Sequence, residues 1–150
     1  MKKAKDIMTS NVVTVKPETE ILEAARLMLE NHFNGLPVVD DDRRVVGIIC
    51  QDDLVAQQKE LPIPSFFMLL DGLIPLSSHK SIEREIEKIT ATTVEKAMTR
   101  DITAVHPDTE VDEIATIMAN EKLHTIPVVE NGKLVGVIGK EDVIRLLISE

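Results

Sequence analysis

Residues 8–39 read MTSNVVTVKPETEILEAARLMLENHFNGLPVV and residues 98–129 read MTRDITAVHPDTEVDEIATIMANEKLHTIPVV, identical at 12 of 32 positions. Composition alone would give about two identities. The chain is therefore an internal duplication with a period of 90 residues, and its fold is one unit made twice. The shared residues are Met8/Met98, Thr9/Thr99, Val15/Val105, Pro17/Pro107, Thr19/Thr109, Glu20/Glu110, Glu23/Glu113, Ala25/Ala115, Met28/Met118, Pro37/Pro127, Val38/Val128 and Val39/Val129. Beyond Val39 and Val129 the register slips by one residue and resumes at Val46/Val135, Gly47/Gly136, Ile49/Ile138 and Asp53/Asp142. The slip falls in a polar turn, where a length change costs least.

Each copy reads as strand, helix, strand, strand, helix. Val12–Val15 and Ile102–Val105 are short strand candidates, ended by Pro17 and Pro107, which cannot donate to a ladder. Ile21, Ala24, Ala25 and Met28, with Val111, Ile114, Ala115 and Met118, fall at i, i+3, i+4, i+7 and predict one buried helix face per copy. The methionines belong to that core stripe. Leu36-Pro-Val-Val and Ile126-Pro-Val-Val then lead through a polar turn into Val45–Cys50 and Leu134–Gly139. Asn131-Gly132 between two apolar runs is the strongest short hairpin signal, and Asp40-Asp41-Asp42 fills the same turn in the first copy as a solvated loop. A second helix follows each hairpin, from Asp52 to about Lys59 and from Glu141 to Ser149.

Composition narrows the function. With 150 residues, 43% hydrophobic and 29% charged, the chain is long enough to bury a core. Its 26 acidic against 17 basic residues, net −9, disfavour non-specific binding to nucleic acid. One cysteine, Cys50, excludes an internal disulfide, and the N-terminal MKKAKDIMTS has no apolar signal region, so a cytoplasmic location is expected. Leu61–Leu76 carries Asp71, Gly72 and prolines and is too short to span a bilayer, so no membrane association is expected. No Gly-rich phosphate loop, Gly-x-Ser-x-Gly or Cys-x-x-Cys is present, and His32, His79, His106 and His124 lack metal-ligand spacing. Neither catalysis nor a metal centre is expected.

The ordered segments resemble a cystathionine-β-synthase (CBS) domain pair, also called a Bateman module. The resemblance rests on Asp6-Ile-Met-Thr and Lys96-Ala-Met-Thr, on Leu36-Pro-Val-Val-Asp and Ile126-Pro-Val-Val-Glu, and on Gly47-Ile-Ile-Cys-Gln-Asp-Asp-Leu and Gly136-Val-Ile-Gly-Lys-Glu-Asp-Val. It implies an α/β (α+β) fold of two tandem CBS motifs related by pseudo-two-fold symmetry, with residues 1–59 as the first motif, 60–93 as an insert and 94–150 as the second. It also implies a regulatory sensor that binds AMP, ADP, ATP or S-adenosylmethionine between the motifs.

Residue by residue, Asp53 and Asp142 match the family position whose carboxylate accepts the ribose hydroxyls; a helix N-cap is the alternative role. Val12, Val13, Leu36 and Pro37, with Ile102, Thr103, Ile126 and Pro127, are the candidates for an apolar adenine slot, although the same side chains also suit a core. His124 matches the phosphate-binding histidine of nucleotide-sensing relatives; Lys140 adds a second cation and Gly139 admits close backbone approach. The first copy has Asn34 and Gln51 instead. Where the family commonly carries Ser or Thr, this chain carries Cys50 and Gly139, and a hydroxyl contact is lost in both copies.

Phe66, Phe67, Leu69 and Leu70 form an apolar run outside both repeats, followed by a helix candidate, Ser81–Ile89. A homodimer through that run is expected, with output through self-association or an unidentified effector protein. The reading of a different class is a ligand-free dimerisation scaffold.

Overall fold

The computed structural model describes residues 1–57 and 92–148; the Ser81–Ile89 helix candidate and the run containing Phe66, Phe67, Leu69 and Leu70 lie outside those residues. The first unit contains α1 (Ala4–Ile7), α2 (Ile21–Asn31), β1 (Gly35–Val39), β2 (Val45–Cys50) and α3 (Gln51–Gln57). The second repeats the order as α4 (Val94–Ala97), α5 (Val111–Glu121), β3 (Thr125–Glu130), β4 (Lys133–Gly139) and α6 (Lys140–Ile148).

The helical stripe expected from spacing is the buried one: Ile21, Ala24, Ala25 and Met28 on α2, and Val111, Ile114 and Met118 on α5. Against each helix lies an antiparallel hairpin, β1 with β2 and β3 with β4. The register pairs Val38 with Gly47 and Val128 with Gly136, then skips one residue before Val39/Val45 and Val129/Leu134, so both hairpins carry the same irregularity. Asn131 (φ 55°) and Gly132 (φ 80°) make the tight turn in the second hairpin. The first turn is one residue longer, with Arg43 at φ 63° and the Asp40 carboxylate accepting the amides of Asp42 (2.9 Å) and Arg44 (3.0 Å).

The segments expected as strands at Val12–Val15 and Ile102–Val105 are strands in only one residue each. Val15 bridges Val38 in parallel, donating to the Pro37 carbonyl (3.1 Å) and accepting from the Val39 amide (2.9 Å). Val105 does the same with Pro127 (3.0 Å) and Val129 (2.8 Å). Proline stops this ladder on both sides. One step forward the donor would be Pro17 or Pro107, and one step back the donor to the Val13 or Thr103 carbonyl would be Pro37 or Pro127, none of which has an N–H.

The opening helices are exchanged between the units. The α1 amides of Ala4 and Lys5 donate to Thr109 (2.8 Å) and Pro107 (2.9 Å), and Ala4 lies in the core of Val105, Ile114, Met118, Ile126, Val128 and Ile138. Reciprocally, Val94 and Glu95 of α4 donate to Thr19 (2.8 Å) and Pro17 (2.9 Å), while Val94 and Met98 join the core of Val15, Ile21, Met28, Leu36, Val38 and Ile49. Each core is thus completed by the other repeat's first residues, and each buried aliphatic side chain contributes about 1.5–3 kcal/mol. Thr99 exchanges hydrogen bonds with Ile48 and Thr9 with Val137, bringing the Met-Thr backbone against the opposite hairpin. That approach needs glycine: a Cβ on Gly47 would lie 2.9 Å from the Thr99 oxygen, and one on Gly136 2.9 Å from Met8 Cγ.

Candidate functional site

Both second helices begin in the same way. Asp53 Oδ2 accepts the Cys50 amide at 2.8 Å, and Asp142 Oδ2 accepts the Gly139 amide at 2.8 Å. Each aspartate is the third residue of its helix and reaches back to the amide just before it, which is the acidic half of a capping box rather than the N-cap itself. One carboxylate oxygen is therefore used for capping, and the other is presented outward.

The other oxygen meets different neighbours in the two units. Asp53 Oδ1 accepts from the Thr99 hydroxyl (3.1 Å). Asp142 Oδ1 accepts from Arg145 Nη1 (2.8 Å), one turn along α6, and the Asp142 side chain is 17% exposed. Arg145 Nη2 also lies 3.7 Å from Glu141.

A cleft of about 290 Å³ opens beside Asp142, at the small end of the roughly 300–1,000 Å³ of small-molecule sites. From the first unit come Val12, Val13, Leu36 and Pro37; from the second come His124, Gly139, Lys140 and Asp142. Sequence reading placed all eight in one class of site, and the fold brings them to one wall-to-wall space. Ile102, Thr103, Ile126, Pro127 and Asp53 do not line it: they occupy the pseudo-symmetric position, where Ile126 and Pro127 are fully buried and the Thr103 hydroxyl donates to Glu121 at 2.7 Å.

Several lining residues were not singled out from sequence. Phe33 enters the cleft because His32 ends α2 in a left-handed conformation (φ 57°) and the Phe33 amide returns to the Met28 carbonyl (2.9 Å). Asn11, Asn31 and Arg145 complete the polar rim. The Asp-x-x-Arg spacing on a helix was the one available signal for Arg145. Val13, whose carbonyl has no ladder donor because residue 37 is proline, lines the same wall.

At the other helix start, burial first, then the Asp53 and Asp52 carboxylates, push the Cys50 thiol up to about 11. It stays protonated at neutral pH, as an inert structural thiol does. Among the described residues no three His, Cys, Asp or Glu side chains gather as metal ligands would, and no helix is long and apolar enough to cross a membrane.

Two α/β units, swapped at their first helices and enclosing a cleft across a pseudo-two-fold axis, define a paired-motif ligand-binding module. The chain belongs to the CBS domain family, whose profile matches residues 4–60 and 94–149. A 17.7 kDa protein of Acidianus ambivalens is 33% identical over 98% of this chain and 74% of its own length. Among solved structures, CBSX2 in complex with AMP is 27% identical, with a TM-score of 0.74 over 99% of this chain and 97% of that one. The CBS domain pair of protein MJ0100, in complex with 5′-methylthioadenosine and S-adenosyl-L-methionine, is 26% identical, with a TM-score of 0.72 over 98% and 96%.

Proposed function

We propose that this chain is a non-catalytic regulatory sensor that binds an adenosine nucleotide carrying phosphate in the Asp142 cleft. The observation that carries the reading is the convergence, in one cleft, of apolar walls from the first motif and a capped carboxylate with cations from the second. In this reading Val12, Val13, Leu36 and Pro37 form the adenine slot, with Phe33 beside them and the Val13 backbone reading the base edge. Asp142 Oδ1 takes the ribose hydroxyls while Oδ2 keeps its hold on Gly139, so the carboxylate is preorganised by the helix it caps. His124 and Lys140 receive phosphate at the start of α6, where Gly139, its amide already given to Asp142, contributes room rather than a donor, and the helix dipole adds a favourable field. The AMP complex of CBSX2 supports the ligand class.

Output in this reading passes through self-association. Ile144, Leu147 and Ile148 stand 47%, 81% and 81% exposed along α6, and this exposed apolar stripe is the surface on which a homodimer is proposed. Calorimetry against AMP, adenosine and S-adenosylmethionine tests the binding: AMP should bind tighter than adenosine, with a gap that narrows as salt rises. Adenosine matching AMP at every ionic strength would remove the phosphate assignment, and no heat with any of the three would leave the ligand-free scaffold as the reading.

A further inference from the structure

We infer that Arg145 is a charge-selecting latch: it holds the Asp142 carboxylate, and it yields that carboxylate only to a ligand that offers the guanidinium an anion in exchange. The inference rests on the assignment of the Asp142 cleft to an adenosine ligand. Three observations meet at this residue. Arg145 Nη1 holds Asp142 Oδ1 at 2.8 Å, the carboxylate oxygen that α6 capping leaves for a ribose. The guanidinium lines the cleft itself, and its side chain is 68% exposed, so the ion pair is solvent-screened and opens at small cost. The matching position in the first motif is Ala56, and there Asp53 Oδ1 accepts from the uncharged Thr99 hydroxyl.

Ligand classes therefore face the latch differently. A neutral nucleoside must compete with Arg145 for Asp142 and returns nothing to the displaced cation. A nucleotide brings phosphate oxygens, for which a guanidinium's planar fork of donors is well matched. S-adenosylmethionine sets a sulfonium beside the ribose, where it meets like charge from Arg145, and its single carboxylate, on the same chain as an ammonium, leaves the ligand net positive. Glu141, 3.7 Å from Nη2, keeps the freed guanidinium at the mouth of the cleft.

The test is calorimetry of the wild type, Arg145→Ala and Arg145→Lys with AMP, adenosine and S-adenosylmethionine, with urea midpoints to show that each variant is folded. Arg145→Ala should cut the ratio of AMP to adenosine affinity by about tenfold, through weaker AMP binding and equal or tighter adenosine binding, and Arg145→Lys should keep part of the preference. S-adenosylmethionine should bind the Ala variant more tightly than the wild type. If AMP and adenosine weaken together, Arg145 merely positions Asp142; if the ratio does not move, it selects nothing. Either result overturns the latch while leaving the cleft assignment intact, whereas a wild type that binds none of the three ligands overturns both.

Discussion

Beside Asp142 stand His124, Lys140 and Arg145, while the matching residues of the first motif are Asn34, which itself lines the Asp142 cleft, Gln51 and Ala56. Asn11 and Asn31 line the same cleft from the first motif, and the residues at their matching positions in the second repeat are Asp101 and Glu121. The Asp142 cleft thus gathers Lys140 and Arg145 at positions where the first motif carries the neutral Gln51 and Ala56. Most identities between the repeats serve the frame: Met8/Met98, Thr9/Thr99 and Gly47/Gly136 build the contacts between units, and Pro17/Pro107 and Pro37/Pro127 bound the one-residue parallel bridges. In this molecule symmetry belongs to the scaffold and asymmetry to the ligand surface.

The largest expected effect breaks the symmetric part. Met98→Ala, although it lies in the second repeat, removes a side chain from the first core and should destabilise the protein by about 2–5 kcal/mol in urea unfolding. Hydrogen exchange should quicken first at Ile48, whose amide is held by Thr99, and loss of protection only in the second hairpin would contradict the exchange of opening segments.

The asymmetric part is tested next. Asp142→Asn should weaken AMP binding about ten- to hundredfold by loss of a charge-assisted hydrogen bond, while Asp53→Asn leaves it little changed. Both variants lose some helix capping, so folding is followed separately by urea midpoint. Giving the Asp142 cleft the first motif's residues, His124→Asn with Lys140→Gln, should lower AMP affinity by about two- to thirtyfold at low salt and flatten its salt dependence. An unchanged salt slope would move the phosphate away from these side chains.

The smallest effect concerns Cys50. With its thiol near 11, only about one part in a thousand is thiolate at pH 8, so alkylation should be far slower in the folded than in the unfolded chain and should rise steeply only as pH approaches 11. Rapid labelling at pH 8 would mean that the thiol is not held by burial beside Asp52 and Asp53.

Much of the frame was legible in the sequence because the duplication doubles every weak signal. The α2 and α5 stripes, the two hairpins and the one-residue slip between them follow from periodicity and the Asn-Gly turn. The strands at Val12–Val15 and Ile102–Val105 shrink to one residue each because the bonding partners of an apolar run are set by the neighbouring segment, where Pro37 and Pro127 withhold a donor that Pro17 and Pro107, read as strand ends, do not reveal. The exchange of α1 and α4 was not legible, since Ala4 and Val94 carry no mark of which core they enter. For the cleft, residue types pointed to Asp142, His124 and Lys140, but the pairing of those residues with Val12 and Val13 of the other repeat is a product of the pseudo-two-fold axis. Arg145 and Phe33 reach the cleft through helix position and a left-handed turn, features that appear only once the backbone is in place.

The central claim, that charge makes one cleft the nucleotide site, is tested most directly by the stoichiometry of AMP binding at low salt. The account predicts one AMP per chain, lost in Asp142→Asn and kept in Asp53→Asn. Two equivalent sites per chain, or a single site that survives Asp142→Asn and disappears in Asp53→Asn, would contradict it.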